Sequence, residues 1–458
     1  MTGGFSALGL GWLGAGRIFA APPGWKPQGA VRLAIGMVAD THIRTGSNGV
    51  RMDSHRPTTW FVKALEHFRD ANVDAVVHLG DMAHCGQTRE LEFHAMAWRQ
   101  VFPGDCAADG RHVEKLFVTG NHDTLVDNAF VVRFCPDPAE RARRTFATDQ
   151  AANWKRVFGE EFQRVWHKSV KGFHFVGLNH GVPGSELVEF MEKHAAKGIG
   201  RETKRPLFLL MHVPPSEELQ KSLARWPSAV GFYGHCHASA ANWNVIGCLP
   251  GGVPFVQCPA LRAMPHNVLA GERGIVRARR LGGRAQAGCN TARQGFVVRV
   301  YEDYLAIERR EFTEGGRIGE DWIMPLGRFA PHPFERAELK KSIGKPQFRP
   351  GAKLQVLAGE ADVLKLRIPA ADGNPATRAY AFDVGVAGNG GGRARYWGVY
   401  AAGACMGAGH EANGGVTELE IPRAELPAGD EFTVFARPVT SLGSYGEEIS
   451  LRCRCVEV

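Results

Sequence analysis

Apolar runs long enough to cross a membrane are missing from this 458-residue sequence. Its most apolar stretch, residues 5–20 (FSALGLGWLGAGRIFA), is too short and carries Arg17 near its end. Polar low-complexity tracts and internal repeats are missing too, which argues against a disordered or solenoid chain. Charge of one sign is scarce: 55 Lys and Arg face 47 Asp and Glu, a net of +8. That excess suits an anionic substrate but is not gathered on one helix or face, so no specific nucleic-acid signature is present. With 44% apolar residues and this length, the chain can bury a large core and form two or three domains. Nothing in it fixes an oligomeric state.

A charged leader is lacking as well, since only MTGG precedes the apolar stretch. The small residues Ala20 and Ala21 before Pro22 and Pro23 nevertheless resemble the cleavage zone of an export signal. We therefore expect an exported protein, periplasmic or extracellular, with residues 1–27 as a signal-like segment. A basic leader upstream, or an unusual domain lead-in, would account for the missing charge. The ten cysteines do not fix the compartment. Cys85, Cys236 and Cys258 lie in or beside core-strand motifs and read as buried thiols. Cys453 and Cys455 lie two apart in one expected strand, on one face, and should not pair with each other. A bridge involving Cys248 or Cys289 is open if the chain is exported.

From Val31 the pattern is α/β. Residues 31–40 (VRLAIGMVAD) form a continuous apolar run closed by a carboxylate, the mark of a strand buried on both faces. Residues 57–71 follow with helical spacing of Trp60, Phe61, Ala64, Leu65 and Phe68, and Pro57 suits the first turn. Further strands are expected at 73–81, 113–123, 173–178, 207–212, 229–234, 295–301 and 303–312, with helices around 88–101 and 185–198. Residues 261–300 hold eight arginines against one acid, Glu272, and read as a loop-like insertion. From 346 onward about seven short segments separated by turns suggest a β-sandwich. The expected boundaries are 28–320 for a catalytic α/β domain, 321–345 for a Pro- and Gly-rich linker and 346–458 for the sandwich.

Five polar clusters fall where the α/β strands end: Asp40-Thr41-His42, Gly80-Asp81, Gly120-Asn121-His122-Asp123, His212 and Gly234-His235-Cys236-His237. Open α/β sheets build their sites at those carboxyl ends. The residue types are oxygen and imidazole ligands suited to divalent metals.

Read in order, these blocks resemble the calcineurin-like metallophosphoesterase superfamily, whose signature is D-x-H, G-D, G-N-H-[DE], H and G-H-x-H. The resemblance extends from Val31 to about Phe312 and implies a two-sheet metallophosphoesterase sandwich flanked by helices. It implies that Asp40, His42, Asp81 and His237 hold one metal, and that Asp81, Asn121, His212 and His235 hold the second. Asp81 would bridge two divalent or trivalent ions of iron, zinc or manganese. It also implies a non-ligand histidine, His122, that assists the leaving oxygen. Two cations about 3.5–4 Å apart can share a hydroxide and neutralise a phosphate ester during in-line attack. Asp123 is a candidate to orient His122. His84 departs from the family, many members of which carry an acid there, and His180 and an arginine of 261–300 are candidate substrate contacts. His55, His78 and His94 read as surface or packing residues. The turn around residues 431–449 resembles fibronectin type III or immunoglobulin-like modules of secreted bacterial enzymes. The expected activity is hydrolysis of phosphate mono- or diesters; the alternative is a non-catalytic secreted binding protein on the same scaffold. An arginine-bearing protein-phosphatase pattern is not evident.

Overall fold

A computed structural model describes residues 29–44, 56–125, 132, 136–195, 205–262, 293–313, 316–326, 334–342, 344–357, 363–372, 381–388, 393–401, 416–429 and 431–454. The signal-like segment, His55, Glu272, Cys289 and Cys455 lie outside them, as does most of the Arg-rich insertion. Among the described residues, twelve strands build the α/β part. They are β1 (Leu33–Val38), β2 (Ala75–Leu79), β3 (Glu114–Val118), β4 (Val165–Val170), β5 (Phe173–Leu178) and β6 (Leu207–Met211). After these come β7 (Ala229–Tyr233), β8 (Ile246–Gly247), β9 (Phe255–Gln257), β10 (Gln294–Val300), β11 (Tyr304–Glu311) and β12 (Trp322–Pro325). One six-stranded sheet runs β12-β11-β10-β1-β2-β3 and the other β4-β5-β6-β7-β9-β8.

The continuous apolar runs follow from burial on both faces. Leu33, Ile35 and Met37 of β1 point between the sheets, where they share a core with Phe175, Phe208 and Phe232. Ala34 and Val38 point the other way, onto Phe61, Leu65 and Phe68 of α1 (Arg56–Asp70). Each Phe buried in this way contributes roughly 1.5–3 kcal/mol. β1, β2 and β3 are parallel, and so are β5, β6, β7 and β9. Their carboxyl ends therefore meet at one edge of the sandwich, which is where the five polar clusters lie. Behind β2 the chain enters α2 (Thr88–Val101) through a capping box, the Glu90 carboxylate accepting from the Gln87 backbone at 3.3 Å and from Cys85 N at 2.8 Å. That anchor fixes the course of residues 81–87.

His94 of α2 packs in the same layer. It is fully buried, stacks on Phe61 at 4.1 Å between ring centroids, and neither ring nitrogen meets a hydrogen-bond partner among the described residues. Burial lowers its pKa from 6.5 to about 3. A histidine depressed in the folded state stabilises the fold fully above its unfolded pKa and loses that contribution as pH falls towards the folded value. Metal-free protein should therefore lose stability between about pH 6.5 and 3, by up to about 5 kcal/mol from this residue. His94→Phe should flatten that acid branch. Denaturant titrations at pH 7 and 4.5 check this; identical pH slopes for both proteins would contradict it.

The C-terminal region is all-β. The seven segments expected from sequence all appear, as a three-stranded sheet (Gln355–Leu357, Val363–Ile368, Thr417–Pro422) and a four-stranded sheet (Arg393–Tyr400, Ala381–Gly388, Glu431–Val439, Ile449–Arg454). Leu364, Leu366, Phe382, Val384 and Val434 fill the core between them. Segment 321–345, read from sequence as a linker, instead carries β12 and a short helix, Arg336–Ser342. β12 pairs antiparallel with β11, and Trp322 is wholly buried beside Trp243 and Phe296. The apolar side chains of WIMP are what take it out of solvent. The turn after Val439 meets the α/β part: Trp243 N donates to Ser441 Oγ at 3.0 Å, and Leu442 joins the inter-sheet core. No helix among the described residues is long and apolar enough to cross a membrane.

Candidate metal centre

Strand pairing continues past the ends of β1 and β2. Asp40 N donates to the Gly80 carbonyl at 3.0 Å, His42 N to the Asp81 carbonyl at 2.9 Å and Ile43 N to the Met82 carbonyl at 2.9 Å. To keep those bonds while turning side chains into one cup, the backbone bends into left-handed conformations. Positive φ occurs at Asp40 (55°), His42 (47°), Asp81 (55°), His235 (70°) and His237 (52°). Non-glycine residues avoid this region at roughly 1–3 kcal/mol each, and such strain gathers at ligand clamps. Five of the seven metal-ligand candidates carry it.

Their side chains form two abutting sets. In the first, Asp40 Oδ1 lies 3.2 Å from His237 Nε2 and 3.9 Å from His42 Nε2, and the two histidine nitrogens lie 3.1 Å apart. In the second, Asn121 Oδ1 lies 2.9 Å from both His212 Nε2 and His235 Nδ1. One atom serves both sets: Asp81 Oδ2 is 3.7 Å from His42 Nε2 and 3.3 Å from His212 Nε2. The other Asp81 oxygen accepts from His122 N at 2.7 Å, which fixes the direction of the shared one. Asp40, His42, Asp81 and His212 are buried, whereas His235 is exposed and Asn121 and His122 half-buried, so the cup opens on that side.

These atoms fit cations. The His212 Nδ1–H donates to the Leu79 carbonyl at 2.7 Å, so in the neutral ring it is Nε2 that turns a lone pair towards Asn121 Oδ1 and Asp81. Asp40 Oδ1 is buried with no hydrogen-bond partner among the described residues. Lone pairs face lone pairs, an arrangement that positive charge relieves. His42 is held well below the usual histidine pKa, by burial first and then by His237, His122 and His84. For His212, burial works against the charged form, but the hydrogen bond and charge of Asp81 outweigh it and raise the pKa to about 9. In the metal-free protein a proton on His212 thus takes part of a cation's place.

Asp123 does not orient His122 as the sequence suggested. Its fully buried carboxylate accepts from Ala83 N and Gly120 N, both at 2.7 Å, and so ties the loop after β2 to the loop after β3. Burial, then the nearby Asp81 charge, push its pKa up to about 7. The His122 ring is held by its Nδ1–H donating to the His84 carbonyl at 2.7 Å, because that carbonyl is the acceptor its ring reaches. Cys236, expected to be buried, is exposed, since the turn between His235 and His237 lies at the open rim; Cys85 and Cys258 are buried thiols, and the described cysteines are free. His180 sits half-buried with its ring 6.4 Å from His212. His78 lies beneath the centre, its Nε2 2.5 Å from the hydroxyl of Thr41.

Sequence reasoning missed Arg44, and it missed Arg262 as a specific residue. Arg262 follows β9, and the chain from that strand runs alongside the end of β1, Leu261 N donating to the Ala39 carbonyl at 2.9 Å and Arg262 N to the Asp40 carbonyl at 3.0 Å. A signal was present: like the metal-ligand candidates, Arg262 lies just beyond the carboxyl end of a parallel strand. That strand is three residues long, too short to stand out.

Gly120 explains one constraint of the motif. A Cβ there would strike the Asp81 carboxylate and its backbone nitrogen. Gly120→Ala should displace Asp81 and lower bound metal and turnover at least tenfold, on the order of the effect of losing a partner that orients a metal ligand. Metal content and hydrolysis of an aryl phosphate read this directly; unchanged values would contradict it.

The calcineurin-like phosphoesterase family model matches residues 33–239, which contain all five clusters. Residues 33–239 are a calcineurin-like phosphoesterase domain. No curated protein sequence matches the chain significantly. Among solved structures, a dimetal phosphatase from Danio rerio is 13% identical with a TM-score of 0.37, the match covering 65% of this chain and 100% of that one. A purple acid phosphatase from yellow lupin seeds is also 13% identical, with a TM-score of 0.40, the match covering 66% of this chain and 55% of that one. The phosphoesterase domain makes this chain a metal-dependent hydrolase of phosphoesters. Among the described residues, three groups are spaced to hold a metal ion: Asp40, His42 and His237; Asp81, His212 and His235; and His42, His84 and His122.

Proposed function

We propose that the chain hydrolyses phosphate esters at a dinuclear centre in which Asp40, His42, Asp81 and His237 hold one cation and Asp81, Asn121, His212 and His235 the other. The observation that carries this reading is the single oxygen, Asp81 Oδ2, within 3.7 Å of ligand atoms of both sets. When bound, two such cations neutralise phosphate oxygens and acidify water. The protein's own groups do the rest. Asp81 Oδ1, fixed by His122 N, keeps the bridge from rotating. The Leu79 carbonyl keeps His212 in the tautomer that offers Nε2. His122, whose Nδ1 is committed to the His84 carbonyl, has Nε2 left to hand a proton to the departing ester oxygen while water oxygen takes its place at phosphorus. Iron, zinc and manganese all suit this mixed oxygen and imidazole set. Export, with the C-terminal sandwich as an appendage outside the chemistry, is a further proposal that rests on the sequence. The test is hydrolysis of p-nitrophenyl phosphate by metal-loaded protein, abolished by chelation and restored by metal. Full turnover after rigorous metal removal would overturn the reading.

A further inference from the structure

The loop that carries His235 and His237 is held at its entry by the site itself. Gly234 N donates to the His212 carbonyl at 3.0 Å and His235 N to Asp40 Oδ2 at 3.0 Å. Its exit is held from outside the site, at Ala240, a few residues past His237. Ala240 is wholly buried, and side chains of the facing sheet take both of its backbone groups. Its N–H donates to Gln294 Oε1 of β10 at 2.9 Å, and its carbonyl accepts from Arg309 Nη1 of β11 at 2.9 Å. Arg309 Nη2 donates to the Glu320 carbonyl ahead of β12 at 2.6 Å, and the guanidinium stands over Trp322, 4.5 Å from the ring centre. Arg309 is 4% exposed, hydrogen-bonds no carboxylate among the described residues, and leaves Nε buried without a hydrogen-bond partner there. Burial lowers its pKa to about 9, although Asp321 and Glu320 favour the charge. A charge buried in this way is costly, and a neutral side chain could fill the same space. What the guanidinium adds is geometry: a planar fork that ties the exit of the metal loop to the segment before β12.

We infer that Arg309 is a positioning residue of the metal centre, fixing through Ala240 where His237, and behind it His235, present their nitrogens. This rests on the two-cation reading above. The physical reason lies in the backbone. His235 and His237 sit in left-handed conformations, φ 70° and 52°, which non-glycine residues leave unless the surrounding structure holds them. Asp40 holds the front of this strained stretch and the clamp on Ala240 holds its back. With the back released the strained residues can relax, and His237, nearer the clamp, moves first. His237 Nε2 stands 3.2 Å from Asp40 Oδ1 in the first ligand set, so one of the two ions should suffer more than the other.

The test is titration of metal-depleted full-length protein with cobalt(II), read by calorimetry and by the visible absorption of the bound ion, which reports its ligand geometry. Wild type should take up about two ions per chain, in keeping with a two-metal centre. Arg309→Met, close in size but without donors, should bind one of them roughly tenfold more weakly and shift the cobalt bands, the scale of losing a group that orients a ligand. Arg309→Lys, which can still reach one carbonyl, should fall between the two, and it carries the test if the Met variant does not fold. Leu33→Ala, a truncation of a wholly buried side chain at the amino end of β1, controls for lost stability and should leave affinities and bands unchanged. Unchanged cobalt affinity and bands in a folded Arg309 variant would mean that the arginine only fills the core, and would sink the inference. An equal loss in Leu33→Ala would sink it too. Wild type that bound no pair of ions would instead overturn the two-cation reading, and this inference with it.

Discussion

Asp81→Asn is expected to lose all measurable turnover and part of its bound metal while staying folded. Asparagine is nearly the same size, and its amide oxygen can still accept from His122 N as Asp81 Oδ1 does at 2.7 Å. The amide nitrogen would then occupy the position of Oδ2, pointing donor hydrogens at His212 and His42 where the ions need a lone pair. Negative charge is lost at the same point, and no other carboxylate among the described residues stands between the two ligand sets. Circular dichroism, metal analysis and p-nitrophenyl phosphate turnover separate folding from chemistry. A folded variant with two metals and near-normal turnover would show that the shared oxygen is not the bridge.

His122→Ala should do the opposite on metal and nearly as much on rate. The side chain is in neither ligand set, so both ions should remain. kcat should fall roughly 10²–10⁴-fold, the usual scale of general acid assistance. The loss should be largest for alkyl esters, whose leaving oxygens need a proton, and smallest for nitrophenyl esters, which leave as stable anions. Equal losses on the two would point to a role other than proton donation. Because Nδ1 is anchored on the His84 carbonyl rather than on Asp123, Asp123→Asn should act differently from His122→Ala. It would disturb the Ala83 and Gly120 amides that hold the metal loops, and so lower metal content first.

Much of this was legible in the sequence, for identifiable reasons. Strands buried on both faces read as unbroken apolar runs, and each of the five polar clusters follows such a run, so the α/β layout and the meeting of the clusters could be read together; the choice of Asp40, His42, Asp81, Asn121, His212, His235 and His237 as ligands came from the family resemblance. What stayed hidden depends on placement that spacing does not encode. β9 is three residues long, so nothing marked Arg262 as lying beside Asp40. Asp123 follows His122 directly, which suggested a partner relation, yet its side chain turns back to two backbone amides. Cys236 follows a largely buried strand but sits on the exposed rim. Trp322 lies in a stretch without periodicity, and only the free edge of β11 gives β12 a place to pair.

The central claim is that two cations, shared by one aspartate oxygen, perform the chemistry. Titration of metal-depleted protein with zinc, manganese or ferrous iron, following p-nitrophenyl phosphate hydrolysis, tests it most directly. The account predicts no turnover without metal and a rise that levels off at about two ions per chain, in keeping with a two-metal mechanism. Full activity at one ion per chain, or undiminished activity with none, would contradict it.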